Sequence, residues 1–394
     1  MWVSISVEML SFPEDGNPVT VLAGAGAVRE TYRLLDELDA DRAMIVCGQT
    51  VGRLGTVREL MTDAPVGVEI RAFDQVEPDP TGITCQVGGT AARELGAHAI
   101  IGIGGGSSMD AAKAIAAEAV VPGWTPAQDH PGRPAEMDFD PLPTILVPTT
   151  AGTASEVTPF SVITYADTKR KLVLNHPKLY ARYALLDPTM LLTCSKQVRM
   201  ATGMDALTHA IESCVSKQAT DQTRRRALEA IALIAPHLPR VVADKSDMEA
   251  QQQLQLGAMI AGLAFAKSRL GIVHAMALPL SALFHVPHGE ANAVLLPYGM
   301  RFNVESAPEG FAAVAAAMGV DTSRMAPGQA AMAAVEAVGD ISRTVGAPTH
   351  MSELGVTRDA IPQMADDAMP SAHIACNPRA VEKQDVIELY NLAF

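Results

Sequence analysis

Ile101-Gly102-Ile103-Gly104-Gly105-Gly106-Ser107-Ser108-Met109-Asp110 is an apolar run that stops at three consecutive glycines and passes straight into an alanine-rich stretch. The β-branched residues before the glycines and the alanines after them predict a strand, a tight turn and a helix. Glycine lets the main chain turn sharply and approach a ligand, and the helix that follows presents unpaired N–H groups and its positive dipole end to a phosphate. A plain strand-to-helix turn needs one glycine; three in succession with two serines favour a pyrophosphate. The pattern is neither a GxGxxG at the first strand nor a P-loop, because no Gly-Lys-Ser/Thr follows.

Outward from this stretch, short β-type runs alternate with helical ones between about Val19 and Leu186. Strands are expected at Val19–Ala23, Ala43–Cys47, Val68–Phe73, Ala99–Ile103, Thr144–Val147 and Pro159–Thr164, and helices at Arg29–Leu38, Thr50–Thr62, Thr81–Leu95 and Met109–Ala119. This rhythm predicts an α/β, doubly wound and mostly parallel sheet with a ligand crevice at the carboxyl ends of its strands. A second loop, Pro148-Thr149-Thr150-Ala151-Gly152-Thr153-Ala154-Ser155-Glu156-Val157-Thr158, strings small hydroxyl residues after a strand. It can hydrogen-bond a nicotinamide amide or a ribose, although its composition equally fits a solvated turn. The run Lys169-Arg170-Lys171 that follows reads as a solvated face with one lysine able to reach a phosphate.

After Asp187-Pro188 the pattern becomes helical, with 3.6-period segments at Lys196–Ser216, Gln222–Ala235, Asp247–Lys267, Gly310–Met318, Pro327–Val345 and Arg358–Ala368. A boundary near residues 188–195 gives a dinucleotide-binding α/β domain over 1–190 and an all-helical domain over 191–394. A chain of 394 residues is long enough for two such cores.

In the helical part, Asp205 and His209 stand at i and i+4, so both leave one helical face and can close on one ion. Further on, Gly271–Ala293 carries three histidines among apolar and turn residues. A single such histidine is more often a hydrogen-bonded core residue than a ligand. Next to the Asp205/His209 pair, however, His274 at a helix start and His288 opening the turn Pro287-His288-Gly289-Glu290 complete a carboxylate and three imidazoles. That donor set suits Fe(II) or Zn(II).

The net charge of −14, from 30 basic and 44 acidic residues, argues against a nucleic-acid or anionic-membrane surface and for a small-molecule substrate. Five scattered cysteines without a CxxC pair indicate neither a disulfide framework nor a thiolate metal site, and with an N-terminus that lacks a basic region they lead to a cytoplasmic expectation.

At these residues the chain resembles the iron-containing (group III) alcohol dehydrogenases, nearly end to end: GGGSSMDAAKAIA, PTTAGTASEVT, ATGMDALTHAIE, GLAFAKSRLGIVHAMALPL, VPHGEANAVLLPYGMRFN and CNPRAVEKQDVIELY carry the resemblance. It implies the dehydroquinate synthase-like fold, NAD or NADP, a catalytic Fe(II) or another divalent ion, a small alcohol or aldehyde substrate and a homodimer. By resemblance the metal ligands are Asp205, His209, His274 and His288. The cofactor residues are Gly48, Gly104, Gly105, Gly106, Ser107, Asp110, Thr149, Thr150, Thr153, Ser155 and Lys171, and Phe265 and Lys267 border the substrate.

Three departures from the family pattern stand out. Gly48 replaces an aspartate that would bind the ribose 2′-OH, which favours tolerance of, or preference for, NADP, with Arg53 assisting. Leu278 replaces a histidine normally near the nicotinamide, and His285 is read as a structural or pocket-rim residue. Lys267, with Arg269, brings positive charge suited to an acidic substrate, or is simply a surface lysine at a helix end. The expected activity is interconversion of a small primary alcohol or diol and its aldehyde. The alternatives are reduction of an acidic aldehyde or keto compound, as in maleylacetate reductases, and a cofactor-binding homologue without turnover.

Overall fold

The computed structural model describes residues 7–125, 137–167 and 171–394, so Lys169 and Arg170 of the charged run and the first six residues lie outside it. The chain divides into two compact units, Met1–Thr150 with Ser155–Thr193, and Ala151–Ala154 with Cys194–Phe394.

The strands of the first unit's main sheet are β1 (Glu8–Phe12), β2 (Asn17–Ala23), β3 (Arg42–Val46), β4 (Glu69–Phe73), β5 (Ala99–Gly104), β6 (Thr144–Pro148) and β9 (Tyr183–Leu186). These seven lie in the order β1-β2-β9-β6-β5-β3-β4. Every neighbouring pair is parallel except the β1–β2 hairpin. The helices α1 (Thr31–Glu37), α2 (Gln49–Gly52), α3 (Gly55–Thr62), α4 (Gly82–Leu95) and α5 (Gly106–Val120) connect the strands. Every residue of β5 and β6 is buried, as a parallel strand covered on both faces requires. Every residue of α5 from Ser108 to Glu118 is buried too, which its alanines permit.

One expected strand forms but in another sheet. Phe160–Thr164, β7, pairs antiparallel with β8 (Lys171–Asn175), and the sheet position beside β6 belongs to β9. The cause is local: Val162 N–H donates to Asp110 Oδ2 and Ser161 Oγ donates to the Asp110 carbonyl, so β7 is tied to α5 and not to β6.

The second unit contains α6 (Lys196–Val215), α7 (Asp221–Ala243), α8 (Met248–Ser268), α9 (Ile272–Phe284), α10 (His288–Asn303), α11 (Pro308–Ala317), α12 (Pro327–Val345), α13 (Ile361–Ala368), α14 (Ala372–Cys376) and α15 (Lys383–Ala393). Helix α6 packs against α7, α8 and α10, and its residues from Gly203 to Val215 are all buried. His288 does not sit in a turn: Pro287 is the N-cap and His288 the first residue of α10. Among the described residues no single helix is long and apolar enough to cross a membrane. None of the five cysteines is in a disulfide, and burial pushes Cys47 and Cys214 up to about 12 and Cys194 up to about 11.

Candidate metal centre and cofactor loops

Ser195 caps α6 by accepting the Val198 N–H, and the helix then carries Asp205 and His209 one turn apart, both buried. His274 enters from the first turn of α9 and His288 from the first residue of α10. The three imidazole Nε2 atoms lie 3.9, 3.7 and 3.8 Å from Asp205 Oδ1, for His209, His274 and His288 in turn. A four-coordinate ion with ligands at about 2.0–2.2 Å spaces its donors about 3.3–3.6 Å apart, so this set needs only a small contraction to hold one.

Two further observations show that the candidate ligand atoms converge here. The side-chain nitrogen of Asn292, one turn beyond His288 on α10, lies 2.7 Å from Asp205 Oδ1, 3.2 Å from His274 Nε2 and 3.1 Å from His288 Nε2, so three of the four donor atoms aim at one point. The other amide atom, Asn292 Oδ1, is buried and has no hydrogen-bond partner among the described residues. Behind His274, Glu212 Oε2 accepts from Nδ1 at 2.6 Å, which fixes Nε2 as the ligating nitrogen. Glu212 is itself held by the first turn of α9, with Val273 N–H donating to Oε1 at 2.7 Å. Sequence reading missed both residues, although Glu212 shares the helical face of His209 at i+3 and Asn292 that of His288 at i+4.

The electrostatics follow from burial against pairing. Burial would raise the Asp205 carboxyl, but the charge of His209 and the contacts with His274 and His288 hold it far below the usual carboxylate range. Burial pulls His209 down to about 4. It would pull His274 down also, yet Asp205, whose Oδ1 lies 3.7 Å from Nε2, and the hydrogen bond and charge of Glu212 carry that group up to about 9. The residues therefore fit a divalent cation: one permanent anion, three imidazoles and a carboxylate behind one of them.

In the first unit, Gly104 sits at φ 151°, and a Cβ there would lie 2.4 Å from Ser108 Oγ, so the turn into α5 demands glycine. Thr149 N–H donates to the Gly104 carbonyl at 2.9 Å, and Thr150 lies against Gly105, so the ends of β5 and β6 bring the two expected cofactor loops side by side. Asp79 N–H donates to Ser107 Oγ, and Asp79 Oδ1 pairs with Lys171 Nζ at 2.7 Å, which draws that lysine to the same loop. The Asp110 carboxylate faces Ser155 Oγ and Val162 N–H. Thr153 belongs to the short segment Ala151–Ala154 that clusters with the helical unit. At Gly48 a Cβ would approach the Val76 carbonyl to 2.9 Å, so close packing as well as ligand choice calls for glycine there. Arg53 ends α2 as its C-cap.

Around the metal centre, Phe265 is buried and stacks on the His209 ring with centroids 4.4 Å apart. Lys267 is exposed near the end of α8, and His285 is exposed at the left-handed residue that ends α9. Leu278, one turn after His274, is 38% exposed. Arg269 caps α8 at φ 60° and ψ −173°, a backbone region ordinarily left to glycine. The residue that sequence reading had no means of finding is His373 on α14, whose ring lies 6.1 Å from that of His274. Burial, with help from His274 and the charge of Arg269, pulls it down to about 4, and its Nδ1 has no hydrogen-bond partner among the described residues.

Two family models match this chain in succession, one over the sheet unit that carries the glycine turn and one over the helical unit that carries the carboxylate and three imidazoles. Residues 18–188 match the iron-containing alcohol dehydrogenase model, and residues 199–394 match the C-terminal model of the Fe-containing alcohol dehydrogenase family. The chain belongs to the iron-containing alcohol dehydrogenases. It is 36% identical over 377 residues to lactaldehyde reductase of Escherichia coli (strain K12), covering 95% of this chain and 98% of that one. It is 38% identical over 329 residues to 1,3-propanediol dehydrogenase of Citrobacter freundii, covering 83% and 84%. A crystal structure of 1,3-propanediol oxidoreductase superposes with a TM-score of 0.91 at 33% identity, over 99% of this chain and 100% of that one.

Proposed function

We propose that this iron-type alcohol dehydrogenase interconverts a small primary alcohol or diol and its aldehyde with NAD or NADP, at a divalent ion held by Asp205, His209, His274 and His288. The observation that carries this reading is the convergence of those four side chains, with each imidazole Nε2 within 3.9 Å of one Asp205 oxygen. When bound, a divalent cation at such a site supplies Lewis-acid activation of a hydroxyl or carbonyl, and a nicotinamide supplies or accepts the hydride. Fe(II) is the first choice and Zn(II) the second.

The protein's own residues do the rest. Glu212 orients His274, and Phe265 stacks on the His209 ring. The turn at Gly104–Ser107 offers main-chain N–H groups at the start of α5 to the pyrophosphate. Thr149 and Thr150 stand beside it to meet the ribose and nicotinamide, and Lys171 adds a positive charge. Leu278 carries no exchangeable proton, so the substrate proton travels by another route, through water or the cofactor ribose. General acid–base help is worth about 10²–10⁴-fold, so its absence slows turnover without abolishing it. Gly48 presents no carboxylate, which supports use of NADP alongside NAD. Homodimeric assembly in the cytoplasm completes the reading.

The experiment is oxidation of NADH and NADPH by metal-free enzyme reconstituted separately with Fe(II), Zn(II), Mn(II) or Ni(II), against a panel of small neutral and acidic aldehydes. Metal-dependent turnover with both nucleotides and with neutral aldehydes is expected. Silence across the panel with nucleotide still bound overturns the dehydrogenase reading, and strict use of NADH overturns the part that rests on Gly48.

A further inference from the structure

Lys113 on α5 is wholly buried, at 0% exposure, and has no part in the chemistry described above. It stands three residues beyond Asp110. Its Nζ donates to the Ser155 carbonyl at 2.5 Å, Ser155 Oγ at 3.0 Å, the Thr158 carbonyl at 2.9 Å and the Phe160 carbonyl at 2.7 Å. Main-chain oxygens from three residues therefore wrap one ammonium. Asp110 fastens the same segment, accepting Ser155 Oγ at 2.5 Å and Val162 N–H at 2.9 Å, while its carbonyl accepts Ser161 Oγ at 2.7 Å.

Burying an ammonium is costly, and an apolar side chain would fill the same space without that cost. Burial lowers Lys113, to about 8, with the charges of Asp110 and Glu156 pushing back, but the three carbonyl oxygens around Nζ can only accept hydrogen bonds and so hold the amine in its protonated form. What the charge achieves that a methionine cannot is to fix carbonyls whose positions the main sheet does not set, since among the described residues the strand Phe160–Thr164 ladders with Lys171–Asn175 in a sheet of its own. The fixed segment runs on directly from Thr149, Thr150 and Thr153. The helix that carries the lysine begins at the glycine turn.

We propose that Lys113 is a positioning residue that locks the loop for the nicotinamide end of the cofactor onto the helix whose first turn takes the pyrophosphate. The proposal rests on the cofactor reading given above. It separates two ends of one ligand, and that separation supplies the test.

Binding of NADH and of ADP-ribose, which lacks the nicotinamide, is measured by calorimetry for the wild type, Lys113→Met and Lys113→Arg, with melting temperature and metal content as controls for folding. Lys113→Met is expected to weaken NADH about tenfold or more, the scale of lost hydrogen bonds to a charged group, while ADP-ribose stays within about twofold. Lys113→Arg, which keeps charge and donors, is expected to recover part of the loss. Equal weakening of both ligands assigns the lysine a general structural role and overturns the proposal, as does no weakening of either. Should Lys113→Met fail to fold, the same NADH-to-ADP-ribose contrast is read from Lys113→Gln, which removes the charge but keeps a polar side chain: selective loss of NADH supports the proposal, and equal or absent loss overturns it. A wild-type protein that binds neither ligand overturns the cofactor reading itself and this proposal with it.

Discussion

At the scale of single residues, His274 is constrained at both ring nitrogens: Nδ1 is held by Glu212, and Nε2 faces Asp205 and Asn292. Replacing Glu212 with Gln leaves a hydrogen-bonding group but removes the charge and lets the amide present either end. Metal affinity is expected to fall about 10–100-fold, the usual effect of losing a carboxylate behind a ligating histidine. Competition with a chromophoric chelator checks this, and an unchanged affinity would count against the orienting role. A pH dependence follows as well. The pairing carries His274 up to about 9, so without metal it holds a proton at neutral pH that must leave when an ion binds. Apparent metal affinity should then rise about tenfold per pH unit toward pH 9 and level off above it; a flat profile between pH 7 and 9 would show that the imidazole is already neutral. The Asp205/His209 pair was legible because an i, i+4 spacing on a helix is a local property. Glu212 and Asn292 were legible in principle by the same rule, and His373 was not, because 99 residues of chain separate it from His274 and no periodicity links them.

At the scale of elements, the centre depends on how closely α6 and α10 approach. A Cβ added at Gly289 would lie 2.2 Å from the Ala201 carbonyl oxygen and 2.6 Å from its carbon, so the two helices touch backbone to backbone beside His288. Gly289→Ala must push α10 away, at about 1–3 kcal/mol for an overpacked contact. Thermal unfolding should shift downward by that amount, and metal content after purification should drop as His288 moves; full metal content at an unchanged melting temperature would refute the close-contact argument. Elements with long periodic patterns were readable: α12 runs Pro327–Val345 in the sequence reading and in the structure alike. Short ones were not. Four residues, Tyr183–Leu186, form a strand between β2 and β6, and nothing in so brief an apolar run distinguishes it from the end of a loop. The strand at Phe160–Thr164 was recognised as a strand, but its exclusion from the main sheet hangs on hydrogen bonds to Asp110 that only the folded chain makes.

At the scale of the whole molecule, all four candidate ligands come from α6, α9 and α10 of the helical unit, whereas the glycine turn and Lys171 belong to the sheet unit. A ligand stabilises the part it binds. Adding the metal to metal-free protein should therefore slow amide exchange in peptides from α6, α9 and α10 and leave β5 and the start of α5 unchanged, while NADH should slow exchange in β5 and the start of α5. Protection of β5 by metal alone would show that the two sites are energetically one. The division into an α/β part and a helical part was visible as a change of period after Asp187-Pro188, but the return of Ala151–Ala154 to the helical unit was not, since a four-residue excursion leaves no compositional trace.

The raised thiols have a practical corollary for the bench. Four of the five cysteines are buried and the fifth, Cys194, is half-buried with its thiol pushed to about 11, so at neutral pH the thiolate that reacts with maleimides is scarce at these positions. A fluorophore or spin label can then be attached at one engineered cysteine on a fully exposed position such as Val66, without first stripping the natural ones from the chain.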